Sequence, residues 1–414
     1  MPRISPTCWA LLSPHHQICF TPHISPVAVT CALGAAFPRH ATTQSAKPQP
    51  AQTVVAVLYQ ALKPPIINGV RKSAKPGGYQ DSGADIAFTL QKQAGIEVLT
   101  PAESPDPADQ TAWCFPDTEE GILSALAKGA THLWANTILF ASHPLQASQS
   151  VGRYQDRINV IGQPPMLVEQ FDDKNYVNSM LRAKGIFTMP RSWILDAHDE
   201  VWRSVVDSMP YPVVGKPIRG RGSHGVKKCD SKEELESHVE SLFSESPSIM
   251  VEEYLSGEEA TVTVMPPSKD KESYWSMPIV TRFNHIGGIA PYNGVVAVTA
   301  NSRVVTREEY AKNPNYDIAA RECEAVAEKL RPTAPIRIDI RCFKDDSSSK
   351  FALFDINMKP NMTGPGRPGR DDQASLTLLA AAGLGWDYSR LLLEMLRSSS
   401  TLRVLRHRKL GTKC

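Results

Sequence analysis

Arg337-Ile-Asp-Ile-Arg341 and Phe354-Asp-Ile-Asn357 place charged and amide side chains at alternate positions of two candidate strands, 336–342 and 351–356. The polar stretch 344–350 joins them as a hairpin turn. Alternate residues of a strand share a face, so Arg337, Asp339 and Arg341 point one way, and Asp355 and Asn357 share a face of theirs. If the two strands pair, Asp339, Asp355 and Asn357 converge as oxygen ligands. Such a set suits Mg2+, which takes one or two carboxylates together with substrate phosphates. An ordinary sheet has little use for acids at inward positions, because a buried charge is costly without a partner. The two strands therefore read as a functional face.

Two upstream segments are less decisive alone. The strand Pro212-Val-Val-Gly-Lys216 runs into the loop 217–225, which holds Gly220, Gly222 and Gly225. A lysine at a strand end beside such a loop suits a polyphosphate, with backbone N–H groups approaching the oxygens and the lysine as a point charge. Neither the P-loop pattern nor the dinucleotide-binding pattern is present, and a plain surface loop accounts for the segment equally well. Glu252-Glu-Tyr-Leu-Ser-Gly-Glu-Glu259 follows a candidate buried strand at 248–254. Adenine needs an acceptor for its amino group and a backbone donor, and a ribose diol suits a carboxylate. A charged turn is the even alternative.

Around these segments the pattern is α/β. Thr53-Val-Val-Ala-Val-Leu-Tyr59 is a continuous apolar run of the kind buried in parallel sheets. A helix at 82–94 and a strand at 96–99 complete a βαβ unit. Another helix is expected at 119–128, with a further strand within 131–140. A helix at 172–184 carries Val177, Met180 and Leu181 on one face and ends at Gly185. A helix at 230–243 and a strand at 260–265 follow. Further strands are expected at 277–283 and 294–299, and helices at 317–330 and 374–397.

The formal charge of +2 hides an asymmetry. Residues 1–80 contain seven Lys and Arg and no acid, and residues 398–414 contain five and no acid. The remaining body carries 33 bases against 43 acids. That balance excludes a nucleic-acid binder, which needs clustered Lys and Arg for phosphate contact. No apolar run reaches the roughly 18 residues of a membrane-spanning helix. The eight cysteines are scattered, with no C-x-x-C pair, so they read as free thiols. Residues 1–52 show no sustained period; they read as a disordered leader, with a mitochondrial transit peptide as the alternative. The expected location is cytoplasmic, or mitochondrial if that leader is a transit peptide.

Taken together, these residues resemble the ATP-grasp superfamily and, within it, the D-alanine–D-alanine ligase branch, over about residues 53–397. The resemblance implies an α/β (α+β) fold of three-domain ATP-grasp architecture with an N-terminal Rossmann-like pre-ATP-grasp domain. The implied division is a leader at 1–52, the pre-ATP-grasp domain at 53–165, a central ATP-grasp subdomain at 166–270, a C-terminal one at 271–397, and a basic tail at 398–414. Asp173-Lys174 looks like the pair that opens the family's central domain, its lysine meeting the phosphates. Lys216 looks like the strand lysine on the nucleotide, Glu252, Glu253 and Leu255 like the adenine hinge, and Glu259 like the ribose carboxylate. Arg337 is similar to the arginine that stabilises the tetrahedral intermediate. Asp339, Asp355 and Asn357 are similar to the magnesium ligands, with Asp where the family usually has Glu. Ser223 and Ser375 are the implied substrate-side serines.

The departures fall at the substrate. Leu62-Lys-Pro-Pro-Ile-Ile-Asn68 replaces the family's glycine-rich turn and its glutamate, and Gly222 stands where a catalytic-network serine is expected. The tyrosine and lysine of the family's flexible loop are not evident in Arg282-Phe-Asn-His-Ile-Gly-Gly288. Met358-Lys-Pro-Asn-Met-Thr-Gly-Pro-Gly-Arg-Pro-Gly-Arg370 is longer than the usual turn. Its Arg367 and Arg370 read equally as a grip on an anionic substrate group or as a solvated loop. His224 and His285 are kept out of the catalytic set.

The implied activity is ATP-dependent ligation of a small-molecule carboxylate to an amine through an acyl phosphate, in specialised metabolism. Two Mg2+ ions are expected, with Mn2+ able to substitute, and a homodimer is expected because related ligases are often dimers. An ATP-grasp kinase or non-amino ligase, and a catalytically silent ATP-binding module, are the alternatives.

Overall fold

The computed structural model describes residues 52–67, 69–71, 74–220, 222–291 and 297–410. The expected leader apart from Gln52, Asn68, Arg221, Gly294, the start of the strand expected at 294–299, and Cys8, Cys19, Cys31 and Cys414 lie outside the described residues.

The apolar run at 53–59 is β1 (Thr53–Tyr59), whose Val55, Ala56, Val57 and Leu58 are wholly buried. Burial on both faces requires neighbours on both sides and layers above and below. A short hairpin, β2 (Ile66–Ile67) with β3 (Val70–Arg71), follows it. The strands β4 (Ile96–Leu99), β5 (Phe115–Pro116) and β6 (His132–Asn136) all pair with β1 in parallel, and β7 (Asn159–Ile161) extends the sheet beyond β6. The helix between β1 and β4 spans Gln80–Leu90, earlier at both ends than the expected 82–94.

The second sheet is antiparallel: β8 (Ser192–Asp196), β9 (Val213–Pro217), β10 (Lys227–Cys229) and β11 (Ser248–Glu253), in the order β10-β9-β11-β8. The helix Lys232–Phe243 packs its Leu235, Val239 and Leu242 against this sheet.

The third sheet holds β12 (Glu259–Met265), β13 (Trp275–Ser276), β14 (Val280–Arg282), β15 (Ser302–Val304), β16 (Ile336–Cys342) and β17 (Phe351–Asn357). Its main order is β15-β14-β12-β16-β17. Ala260, Val262 and Val264 of β12 and Ile336, Ile338 and Ile340 of β16 all enter one core with the helix Asn315–Leu330. Two expectations fail here. Val298–Asn301, which overlaps the end of the strand expected at 294–299, is helical, and the strand is instead Ser302–Val304, paired with β14. The helix expected at 374–397 is two helices, Leu376–Ala382 and Tyr388–Arg397. Gly385 at φ +75° and the N-capping side chain of Asp387 break it.

The basic C-terminal residues are built into the first sheet. There β18 (Ser400–Thr401) pairs antiparallel with β7, and the helix Leu402–His407 follows. Arg406 donates to the carbonyls of Pro144, Leu145 and Ser148, and Arg403 pairs with Asp156.

Asp117, wholly buried after β5, fixes the chain leaving β1. One oxygen accepts from the backbone N–H of Ala61 and Leu62 at 2.8 and 2.9 Å, and the other from Thr137 Oγ1 at 2.5 Å, with His143 Nε2 at 3.4 Å. Burial by itself would push this carboxyl up; the His143, Thr137 and Leu62 partners outweigh it and hold it below the ordinary value. A carboxyl lowered by folding contributes stability above its unfolded pKa of about 4 and loses it as the pH falls through the lower folded value. Asp117→Asn should therefore cost about 1–3 kcal/mol at neutral pH. Urea denaturation should show the gap from wild type narrowing below about pH 4; a constant gap would contradict the assignment.

Candidate active site

The polar face of β12, β14, β16 and β17, together with β9 and β11, lines a cavity of about 950 Å³ that includes its open mouth. Strand alternation supplies the face: Glu259, Thr261 and Thr263 of β12 lie opposite Arg341, Asp339 and Arg337 of β16. On β17 the alternation breaks. Asp355 pairs with Asp339 and Leu353 with Ile340, so Phe354 is left without an opposite residue, as in a β-bulge. Phe351, Leu353 and Ile356 meet the core, while Phe354, Asp355 and Asn357 line the cavity.

The bulge also serves the facing sheet. The Phe354 carbonyl accepts from Lys216 Nζ at 3.1 Å. The same ammonium lies 2.6 Å from Glu252, both side chains about 5% exposed or less. Asn178, on the helix Lys174–Arg182, donates to the other Glu252 oxygen at 3.0 Å. Lys174 opens that helix, capped by the Asp173 side chain, and reaches Asp355 at 3.3 Å. Arg219 joins the start of the glycine loop to Asp172 and Asp173 at 3.4 and 3.3 Å.

Charge holds this end in its ionised forms. Burial would lower the Lys174 ammonium, but Asp355, Asp172 and Glu252 raise it above its ordinary value. Burial would raise Asp355, but Lys174, Lys216 and Arg337 hold it below the carboxylate range. Arg337 is likewise raised, with Asp339, Asp355 and Glu259 outweighing burial.

Of the twelve residues expected at the site, ten line the cavity: Lys174, Lys216, Ser223, Glu252, Glu253, Leu255, Glu259, Asp339, Asp355 and Asn357. Arg337 lies beside it, holding both Asp339 oxygens at 2.9 Å. Ser375 is apart from the cavity wall; it is buried and caps the helix Leu376–Ala382. The four acids of 252–259 divide. Glu252 and Glu259 are buried in the cavity wall, Glu253 pairs with Arg191 at 3.1 Å, and Glu258 accepts from Tyr316 Oη at 2.7 Å. Arg367 and Arg370 bond the buried Asp85 at 2.9 and 2.8 Å, so these arginines fix their loop to the helix Gln80–Leu90.

Among the described residues no three Asp, Glu, His or Cys side chains gather as a metal cluster. Two carboxylates and an amide do gather: Asn357 Nδ2 donates to Asp339 Oδ2 at 3.2 Å, and Asp355 lies directly across the register. With the Asn357 amide turned to present its oxygen, this donor set fits a hard cation that keeps ligands from water or phosphate. Lys174 and Arg337 supply positive charge to it here.

Four residues went unassigned at the sequence level. Arg341 shares the face of Asp339, which alternation gave, but no motif marked a role for it. Arg282 lies opposite Glu259 on β14, and His285 Nε2 is 2.8 Å from Glu259. Asn178 is an ordinary helical position in sequence.

A family model described as the D-ala D-ala ligase C-terminus matches residues 186–397, just over half of the 414 residues. The chain belongs to this family. D-alanine–D-alanine ligase A of Bacillus cereus is 26% identical over 239 residues, covering 56% of this chain and 68% of the relative. The Bacillus anthracis ligase is 27% identical over 232 residues, with the same coverage. The fold is that of ATP-grasp ligases. A crystal structure of the Bacillus anthracis ligase complexed with ATP superimposes with a TM-score of 0.57 at 19% identity, covering 86% of this chain and 99% of that one. The VanG D-Ala:D-Ser ligase of Enterococcus faecalis gives 0.56 at 13% identity, with coverages of 83% and 98%.

A buried ion pair is far more costly to break than to replace. Lys216→Met alone should destabilise the protein by about 3–5 kcal/mol, because the buried Glu252 side chain loses its cationic partner. Adding Glu252→Gln should recover most of that loss. Additive losses in denaturant unfolding would contradict a coupled pair.

Proposed function

We propose that this chain is an ATP-dependent carbon–nitrogen ligase that joins a small-molecule carboxylate to an amine through an acyl phosphate. Ligase class follows from the family, and the facing of Lys174 and Lys216 toward Asp339, Asp355 and Asn357 across one cavity carries the residue roles.

In this reading the adenine sits at the hinge, with Glu252 and the backbone of Glu253 and Leu255 as its polar partners, and Glu259 takes the ribose. Lys174 and Lys216 meet the phosphates, where fixed cations offset charge during phosphoryl transfer. Asp339, Asp355 and Asn357 would hold Mg2+, two ions with Mn2+ able to substitute, which supplies charge neutralisation at the phosphate oxygens. A carboxylate oxygen attacks the γ-phosphorus and ADP leaves. The amine then attacks the acyl carbon, Arg337 steadies the oxyanion, and phosphate departs as the amine loses a proton. Arg337 must turn from Asp339 to do so, since it holds both Asp339 oxygens here. Ser223 and Ser375 are assigned to the substrate side.

The domain division proposed is 53–165, 166–270 and 271–397, with the leader before it and the basic segment 398–414 after it. The departures at 62–68 and 358–370 favour a substrate pair other than two D-alanines, consistent with specialised metabolism. A homodimer is part of the proposal.

The test offers Mg2+-ATP with a panel of amino acids, singly and in pairs, to the full chain, and follows ADP release and new amides by mass spectrometry. Release that requires a pair, with an amide formed, is the expected result. Release with a phosphorylated acceptor and no amide would favour a kinase instead. ATP binding without release across the panel would favour a silent module. Asp355→Ala should lower turnover by roughly a hundredfold or more; persistence near the wild-type rate would refute the metal assignment.

A further inference from the structure

Arg341 has no part in the reaction just described, yet the residue is almost wholly buried in the cleft, at 8% exposure. Its Nε donates to the Gly257 carbonyl at 3.1 Å, and Nη1 to the Gly288 carbonyl at 2.7 Å. Nη2 reaches the Tyr254 hydroxyl at 3.1 Å, and the guanidinium carbon lies 5.0 Å from the Tyr254 ring centroid. Nη1 also lies 3.4 Å from Glu259 Oε2. One side chain thus joins the hinge at 254–257, the loop at 283–291 and the ribose carboxylate.

The backbone around it is shaped for that grip. A Cβ on Gly257 would fall 2.1 Å from the Lys344 carbonyl oxygen, and one on Gly288 would fall 2.7 Å from the Tyr254 hydroxyl. Both carbonyls that Arg341 holds therefore belong to positions that admit no side chain without movement. On Glu259, Arg341 and His285 both engage Oε2, while Oε1 has Arg282 Nη1 at 3.7 Å. Fixing one oxygen presents the other to a ligand hydroxyl.

We propose that Arg341 is a positioning residue for nucleotide selection, held by the carbonyls of Gly257 and Gly288 so that it sets Glu259 for the ribose diol. This rests on the ATP reading given above. A rigid planar fork can hold several acceptors at once, whereas a lysine supplies a single point charge. Arg341→Met keeps bulk in the cleft and removes every one of these hydrogen bonds; Arg341→Lys keeps only the charge.

The test measures binding of Mg2+-ATP and Mg2+-2′-deoxy-ATP to the full chain by calorimetry. Wild type should prefer ATP by about tenfold, the size of one hydrogen bond to a charged group. Arg341→Met should weaken ATP, leave 2′-deoxy-ATP nearly unchanged and bring the preference within about twofold. Arg341→Lys should fall between them, and it carries the test if the Met variant does not fold. A variant that keeps the full preference, or that weakens both nucleotides equally, would overturn the role of Arg341 alone. A wild type that binds both nucleotides alike would overturn the ribose role of Glu259 and this inference with it. A wild type that binds neither would overturn the ATP reading itself.

Discussion

The cleft depends on charge neutralisation across one face of a sheet whose other face is hydrophobic core. Ile336, Ile338 and Ile340 are wholly buried on one side of β16, while Arg337, Asp339 and Arg341 occupy the other. Such a face is tolerable only if each charge finds an opposite charge or hydrogen-bond partner as it leaves water. The pairs Arg337 with Asp339, Lys174 with Asp355, and Lys216 with Glu252 meet that demand. In the proposed function, each joins a cation to an acceptor assigned to the nucleotide or its metal. The neighbouring charges raise the Lys174 and Arg337 cations and lower the Asp355 carboxyl, each against the effect of burial.

The bulge at Phe354 gives this face its depth. By placing two consecutive residues on the cavity side, it turns the Phe354 carbonyl to Lys216 and leaves Asp355 beside Lys174. The second and third sheets are thereby tied together at Lys216 and Phe354. Beside Glu259, Arg341 makes the corresponding tie to the carbonyls of Gly257 and Gly288.

Much of this was legible in sequence because strand period is a local property. The alternation of 337–341 gave the polar face, and a hairpin over 344–350 gave the pairing of β16 with β17. The bulge was not legible, since a local insertion in register leaves no mark on composition. Arg367 and Arg370 could be read as a substrate grip or a solvated loop because their partner, Asp85, lies more than 280 residues away. His285 looked like an incidental loop histidine, and only the fold brings it to Glu259. The break in the helix expected at 374–397 was present in Gly383-Leu-Gly385, but the strong apolar period on both sides masked it.

The central claim is that the carboxylate is activated by taking the γ-phosphoryl group, so its oxygen must leave with the phosphate. The most direct measurement uses the substrate pair that yields an amide, with 18O in the carboxylate, and follows the label by mass spectrometry. One 18O atom should appear in the released phosphate for every amide formed. Amide formation with unlabelled phosphate, or with the label in a nucleotide product, would contradict the acyl-phosphate mechanism.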